Sequence, residues 1–459
     1  MAFEYHHLDK WSYANLDLIE ELLETSQKAI VLIAGASSSG KSYAARALEN
    51  LLKESGHSSC TISLDQYNIG LSGIIPNKVN ENFFDGKISN IKEISKRIKE
   101  VIYAVPFEEK YAPKQIEKIR FMISDLIKGE DLEKFLAALP VEWDRLNFDE
   151  PSVYDMKEAS EDVKKLMNNE KVALKKYSKV VSERVPCLDT IDGKSVDVIL
   201  VEGIYALNDE MISHIKGLPV IKDFIDGNPK SLFLRRVIRD QKLTSAHNVF
   251  TIKVYFEFII KSYFESIYPC RRFADVILNN DMTFTEMREG DLYTTKREIH
   301  TDSKEAYDQV LSLCEIESTV YQKDTYFSAP FEKQSEQNTL RLRSIANDGK
   351  NYEVSSLVHK GIMKARNDHK IIRPVNVLLK EGEVTQIWKT EAECIEAFIF
   401  AGFLVGPVKY KVKTKCSFHG QKMTVREVRG SGYYFEFETP PQEAIIKEIT
   451  SIIRKAEIK

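Results

Sequence analysis

Residues 29–34 (AIVLIA) form an uninterrupted apolar run of strand length, and Gly35–Ser42 (GASSSGKS) follow it directly. From Ser42 onward, Ala45, Leu48, Leu51 and Leu52 recur on one side of a helix. An apolar run buried on both faces is the signature of a parallel strand. A strand that turns through glycines into a helix aims backbone N–H groups and the helix N-terminus at one point, which suits phosphate. The segment fits G-x-x-x-x-G-K-[ST], in which Lys41 reaches the β and γ phosphates and the Ser42 hydroxyl serves magnesium. Gly35, Ser37, Ser38, Ser39, Gly40, Lys41 and Ser42 are therefore the expected cradle for ATP or GTP with Mg2+. A chance loop is the alternative, and the strand before and helix after weigh against it.

Two further strand-length runs, Ser59–Leu64 and Val196–Val201, end at Asp65 and Glu202. Strands alternating with helices imply a doubly wound parallel α/β sheet with its ligands at the carboxyl ends of the strands. Phosphoryl transfer needs a carboxylate on the metal and a group to take the acceptor's proton. Either acid alone is more often an ordinary surface group; together with the loop, Asp65 and Glu202 are the candidates for these roles.

The rest of the chain is organised around this domain. Leu16, Leu18, Ile19, Leu22 and Leu23 predict an amphipathic helix over Ala14–Lys28 within an N-terminal segment 1–27. A charged helical insertion is expected at about 75–140, punctuated by Pro76, Pro106 and Pro113, either a solvated cap or a substrate lid. After about Asp281 the period changes to two, as in Tyr321–Phe327, Thr339–Ser344, Lys409–Lys415 and Tyr433–Glu438. The expected divisions are 28–280 for the α/β domain and 281–459 for a mainly antiparallel β domain. The net charge of −4 gives no hint of nucleic acid or an anionic membrane as partner. No apolar run is long enough to span a bilayer. Six scattered cysteines without a CxxC pair argue against zinc and disulfides, with a cytoplasmic location as the default.

Five segments in order resemble the uridine kinase and phosphoribulokinase group of P-loop kinases. SLDQY (Ser63–Tyr67) looks like its SxDxF/Y motif, which implies Asp65 as catalytic base. NFDEPSVYD (Asn147–Asp155) looks like NFDHPDAFD, which implies Asp149 on the acceptor's ribose hydroxyls. VILVEGIYAL (Val198–Leu207) implies Glu202 on magnesium, to which Asp65 is also a candidate ligand. LRRVIRD (Leu234–Asp240) resembles the lid whose arginines contact phosphates, here Arg235, Arg236 and Arg239. YPCRRFADVIL (Tyr268–Leu278) resembles the closing segment. In YSKVVSER (Tyr177–Arg184), Tyr177 and Arg184 persist as acceptor contacts. Lys179 stands where the family has an aromatic and Ser182 where it has a histidine, and Asn68 replaces a tyrosine near the base. A lysine cannot stack on a pyrimidine; it could meet a phosphate or carboxylate on a different acceptor. The phosphate end of the site looks intact and the nucleobase end rewritten.

In the β domain, Lys409, Lys411, Lys413 and Lys415 share one strand face, Arg341 and Arg343 another, and Glu436 and Glu438 a third. Alternation alone favours solvated charges with Tyr410, Val412, Phe435 and Phe437 toward a core. The strand order resembles the CYTH, or triphosphate-tunnel, superfamily, and a uridine kinase-like domain followed by it resembles two-domain tunnel proteins of plants. That resemblance favours a β-barrel (CYTH-like, α+β) whose interior binds a polyanion such as inorganic polyphosphate through Arg341, Arg343, Lys360, Lys409, Lys411 and Lys413. The family's metal-binding acids are replaced: YTTKR (Tyr293–Arg297) offers Tyr293 and Thr295, RPVNV (Arg373–Val377) offers Val375 and Val377, and Arg426 replaces an aspartate. Three functions stay open. They are a magnesium-dependent kinase acting on a hydroxyl of a small molecule such as a nucleoside, a nucleotide or pyrophosphate hydrolase, and a nucleotide-dependent phosphate sensor. The oligomeric state, a homo-oligomer included, is left open.

Overall fold

The computed structural model describes residues 2–106, 109–244, 248–280, 294–330, 338–366, 369–372, 376–437 and 442–457. They divide into two compact units.

The first unit is built on a six-stranded, wholly parallel sheet. Its order is Phe3–Tyr5, Val276–Asn279, Val220–Asp226, Ala29–Gly35, Val198–Glu202 and Ser59–Ser63. All seven residues of Ala29–Gly35 are buried, as a central parallel strand requires. Helices Leu8–Thr25 and Lys41–Glu54 cover one face through Trp11, Ile19, Ala44, Ala45, Leu48 and Leu52. The other face packs on Met156–Met167 and Ile204–Leu207.

The amino-terminal segment corrects the expectation of a helix over Ala14–Lys28. The helix runs from Leu8 to Thr25, and Phe3–Tyr5 adds an edge strand beside Val276–Leu278. Trp11 and Asn15 are buried one turn apart, so the inward stripe begins before the leucines do. Lys28 is in the extended lead into the central strand, where its ammonium donates to the carbonyl of Leu166 at 2.7 Å and to that of Gly193.

Among the described residues the insertion contains the α-helices Leu71–Phe84, Ile91–Ile102, Pro113–Ile123 and Gly129–Asp144, slightly wider than the expected 75–140. It has its own core, including Leu71, Ile75, Val79, Ile94, Ile98, Ile119, Ile123, Phe135 and Leu139. Pro76 lies inside a helix rather than between helices. There the burial of Ile74, Ile75 and Val79 offsets the one backbone bond that proline cannot make.

The second unit is antiparallel. Successive pairings join Asn338–Ala346 to Cys314–Ser328, Leu404–Phe418, Gln421–Val428, Gly432–Phe437, Thr294–Thr301, His369–Ile372 and Glu353–Arg366. Glu353–Arg366 pairs back onto Asn338–Ala346, so eight strands close a ring, and Asn376–Leu379 flanks it. Helices Lys304–Ser312 and Glu443–Glu457 cover Val425, Phe435 and Phe437 on the outer face. The unit also takes in residues 228–241 and 246–256, and is therefore not one continuous stretch of chain. Phe233 and Phe256 join its aromatic cluster, with ring centroids 5.8 and 4.8 Å from Phe398.

Candidate functional site

The phosphate loop owes its shape to positions that only glycine tolerates. Gly35 has φ +145°, and a Cβ there would lie 2.2 Å from the Ile225 carbonyl oxygen. Gly40, at φ +101°, precedes the helix Lys41–Glu54, and a Cβ would lie 2.5 Å from the Asn280 amide nitrogen. Within the turn, Ser39 N–H donates to the Ala36 carbonyl at 3.1 Å. The buried Lys41 ammonium donates to the same carbonyl at 2.8 Å. Asn280 Nδ2 donates to the Ser39 carbonyl at 2.7 Å, while its own N–H bonds to Asp226. Sequence reasoning missed Asn280, which clips the loop to the end of strand Val276–Asn279; its place after the ADVIL strand was the available signal. Ser42 opens the helix with an exposed side chain, and Ser38 adopts φ +66°.

Strand register brings the two acids to the same edge of the sheet. Glu202 is level with Ile33 on one side and Ser63 on the other, two residues from Gly35 and from Asp65 respectively. Gly203 N–H donates to the Ile33 carbonyl at 3.1 Å. A Cβ at Gly203 would meet the Leu64 side chain at 2.5 Å, so glycine lets the Leu64–Tyr67 turn, which carries Asp65, pass close by. Glu202 is buried and Asp65 half-exposed.

Around Asp65 the structure brings together the segments that carry Asp149, Tyr154 and Tyr177. The Tyr67 and Val153 carbonyls accept from Asp155 N–H at 3.0 Å and Ile69 N–H at 2.9 Å, stitching the Asp65 and Asp149 segments together. Asp149 is buried, its N–H donates to the Asn147 side chain at 3.0 Å, and its carbonyl accepts from the Tyr205 hydroxyl. Tyr154, which no sequence argument assigned, sits among these groups and packs edge-on to Tyr205 at 5.8 Å. Burial, then the nearby Asp65 and Asp149 charges, hold its hydroxyl pKa well above the ordinary value. Burial likewise raises that of Tyr177.

The hairpin Lys176–Ser178/Glu183–Val185 borders the cluster. Arg184, expected on the acceptor, instead commits its guanidinium to the protein. It donates to the carbonyls of Asn68 at 2.9 Å and Tyr67 at 2.8 Å, and to Glu158 at 2.7 Å. Asn68 turns its side chain onto Gly70 N–H at 2.9 Å, as a turn residue does. Glu183 accepts from Ser72 N–H at 2.7 Å and Ser72 Oγ at 2.9 Å, anchoring the start of the insertion. Lys179 reaches Asp65, with Nζ 3.0 Å from Oδ2.

Arg235, Arg236 and Arg239 lie on helix Pro229–Thr244 and group with the second unit; Arg236 and Arg239 pair with Asp240 at 2.7 and 2.9 Å.

The second unit holds a separate charged cluster. Asp324, fully buried, is level with Lys409 and Arg343 on its neighbouring strands. It receives Arg343 at 2.8 and 3.2 Å and Lys411 at 2.6 Å, with Arg341 at 3.5 Å. Arg341 and Lys411 also donate to the Tyr326 hydroxyl at 3.2 and 3.4 Å. Lys411 is 9% exposed, whereas Tyr410 is 38% exposed. This overturns the reading of solvated lysines with Tyr410 in a core for the middle of the strand, where Lys411 is buried and Tyr410 is not, while Lys415 stays exposed. Lys413 is level with Arg426, whose guanidinium contacts Glu298 and lies 3.1 Å from Glu436. Glu298 was missed, because the expected alignment sought acids at Tyr293 and Thr295, on the opposite phase of the strand's alternation. Tyr293, Val375 and Glu438 lie outside the described residues, as do the side chains of Thr295, Lys360 and Val377.

Burial alone would raise the Asp324 pKa, but Arg343, Arg341 and Lys411 bring it well below the usual carboxylate range. A depressed folded value means that the stabilising charge is present above the unfolded pKa and is lost only as pH falls through the folded one. Asp324→Asn leaves three cations facing one another and is expected to destabilise the second unit by about 3 kcal/mol. Calorimetric unfolding of the full-length variant beside the parent checks this; an unchanged transition would contradict it.

Residues 96–284 match the family described as Phosphoribulokinase / Uridine kinase family. The chain is 29% identical over 156 residues to a uridine kinase of Lactobacillus johnsonii, covering 33% of this chain and 69% of that protein. It is 32% identical over 134 residues to a uridine kinase of Geobacillus kaustophilus, covering 29% and 61% respectively. The chain thus spans less than two thirds of the second relative's length. Among solved structures, a possible uridine kinase from Bacillus stearothermophilus aligns over 58% of this chain and 100% of its own, at 14% identity and a TM-score of 0.28, too low to bear on function. The family match and these relatives support a kinase-type phosphotransferase. No helix among the described residues is long and apolar enough to cross a membrane.

Proposed function

We propose that the first unit transfers the γ-phosphoryl group of ATP or GTP to a hydroxyl of a small molecule, with magnesium. The observation that carries this is the strand register, which sets Glu202 between the strands leading into the phosphate loop and to Asp65. A hydroxyl at Ser42 and a carboxylate at Glu202 are hard oxygen donors of the kind magnesium takes when phosphates and water complete its shell. Among the described residues there is no cluster of three or more His, Cys, Asp or Glu that could hold a metal ion, and a magnesium shared with nucleotide phosphates needs none. The bound ion would neutralise charge on the β and γ phosphates.

The remaining work falls to the chain. The loop's N–H groups and the helix N-terminus hold the phosphates. Lys41 stabilises the charge that builds on the transferring group. Asp65 takes the acceptor's proton. Asp149, Tyr154 and Tyr177 orient the acceptor, and Arg184 holds the Asp65 segment rather than the acceptor. An acceptor panel read by phosphorylated product tests this. Uridine and cytidine should be poor acceptors, because Lys179, Ser182 and Asn68 cannot supply the missing aromatic and histidine contacts. Efficient uridine phosphorylation would return the site to pyrimidine salvage.

For the second unit we propose a CYTH-like polyanion site that works without a metal. Arg426 lies between Glu298 and Glu436, so these carboxylates already serve a guanidinium. Arg341, Arg343, Lys409, Lys411 and Lys413 supply the attraction for a ligand such as inorganic triphosphate. Nucleotide or triphosphate hydrolysis there is the lesser reading, since a metal ion has few oxygens left to it.

A further inference from the structure

The contact between Lys179 and Asp65 joins the tip of the 176–185 hairpin to the group proposed as the base, across 114 residues of sequence. The hairpin that carries Lys179 is fastened beside the segment that carries Asp65. Arg184 fastens one strand of the hairpin to the Tyr67 and Asn68 carbonyls, and Glu183 fastens it to Ser72. Leu71 N–H adds a bond to the Ser182 carbonyl at 3.0 Å. Ser182 itself holds φ +54°, a left-handed conformation between the two strands of the hairpin. These bonds hold the hairpin beside the Asp65 segment, within reach of Lys179.

We infer that Lys179 is a specificity-determining residue that selects an acceptor carrying a phosphate or carboxylate near its reacting hydroxyl, exchanging its weak ion pair with Asp65 for that group. The inference rests on the kinase reading of the first unit. Both partners are about half exposed, 56% and 48%, so their ion pair is weak and readily exchanged. An anionic group on the acceptor offers the ammonium a new partner and releases the carboxylate. A neutral acceptor offers none, and Lys179 adds nothing to its binding. A solvent-facing lysine with no task would not need a hairpin anchored on the same segment that carries the base.

Once Asp65 is released, the acceptor oxygen forms its bond to the γ-phosphorus and its proton passes to Asp65. The bond from the γ-phosphorus to the β,γ-bridging oxygen breaks, and its electron pair leaves on the nucleoside diphosphate.

The test uses the full-length protein with ATP, magnesium and matched acceptors: ribose against ribose 5-phosphate for the phosphate arm, and glycerol against glycerate for the carboxylate arm. Phosphorylated product and ADP are measured separately. The parent should favour an anionic member by about tenfold or more in kcat/KM, the scale of one hydrogen bond to a charged group. Lys179→Met should erase that preference chiefly through KM, and Lys179→Arg should restore it. A residue with a purely structural role would lower both members of each pair alike. Because the side chain is exposed, neither variant endangers the fold. Equal use of neutral and anionic members, or a preference that survives in Lys179→Met, overturns the inference and leaves the kinase reading standing. ADP release with no phosphorylated product from any acceptor overturns both.

Discussion

Lys41→Ala is expected to lower nucleotide turnover by about a thousandfold, the scale seen when a single preorganised charge-stabilising donor is removed. Lys41 is buried within the loop, with its ammonium 2.8 Å from the Ala36 carbonyl, at the point on which the loop's turn converges. The methyl group of alanine cannot stabilise charge on the three equatorial oxygens of the transferring phosphoryl group. Helix propensity favours alanine at this position, so the variant should fold, which circular dichroism can establish. Steady-state ADP release is the measurement. Turnover within a few fold of the parent in a folded protein would mean that the nucleotide reacts elsewhere.

Asp65→Asn should separate binding from chemistry. The amide occupies the same volume but cannot take a proton, so phosphoryl transfer should fall by roughly a hundredfold to ten-thousandfold. ATP affinity should stay close to that of the parent, because the loop, Lys41 and Glu202 are unchanged. The substitution also removes the charge that Lys179 pairs with at 3.0 Å, and half exposure of both groups keeps the cost to stability small. Calorimetric ATP binding together with single-turnover transfer gives both quantities. Loss of ATP binding along with transfer would make Asp65 chiefly a metal ligand. Transfer at the parent rate would remove it from the site.

What was legible in the sequence was what is encoded locally. The phosphate loop needs two glycines, a lysine and a serine within eight residues, between a strand and a helix, and each neighbour constrains the next. Glu202 was readable as the last residue of its strand and Asp65 as the acid two residues past Ser59–Ser63, since each acid lies at or just beyond a strand's end. Lys179 was recognised as a departure, but its partner lies 114 residues away and only the folded hairpin brings the two together. Arg184 was read as an acceptor contact because its position persists; in the structure three of its N–H groups donate to Tyr67, Asn68 and Glu158.

The second unit illustrates a different limit. Strict alternation says that Lys409, Lys411 and Lys413 share a face, yet it is symmetric between facing water and facing inward. Closure of the strand ring breaks that symmetry, and closure depends on a pairing between Asn338–Ala346 and Glu353–Arg366 that no single strand encodes. Once closed, the ring converts a row of surface charges into a buried network around Asp324. Glu298 was lost to an odd shift of register: it lies three residues past Thr295, and an odd slip exchanges the two faces of a strand. The edge strand Phe3–Tyr5 is three residues long, too short for any periodicity to mark it.

The central claim is that the first unit delivers phosphate to an organic hydroxyl rather than to water. The most direct measurement is the fate of the γ-phosphoryl group. The full-length protein is incubated with γ-labelled ATP, magnesium and the acceptor panel, and the label is partitioned between organic phosphate ester and inorganic phosphate. The account predicts that in the presence of an accepted substrate most of the label appears in an organic ester, and that Asp65→Asn abolishes that product. Label released only as inorganic phosphate, at a rate that no acceptor alters, would contradict it and make the first unit a nucleotide hydrolase.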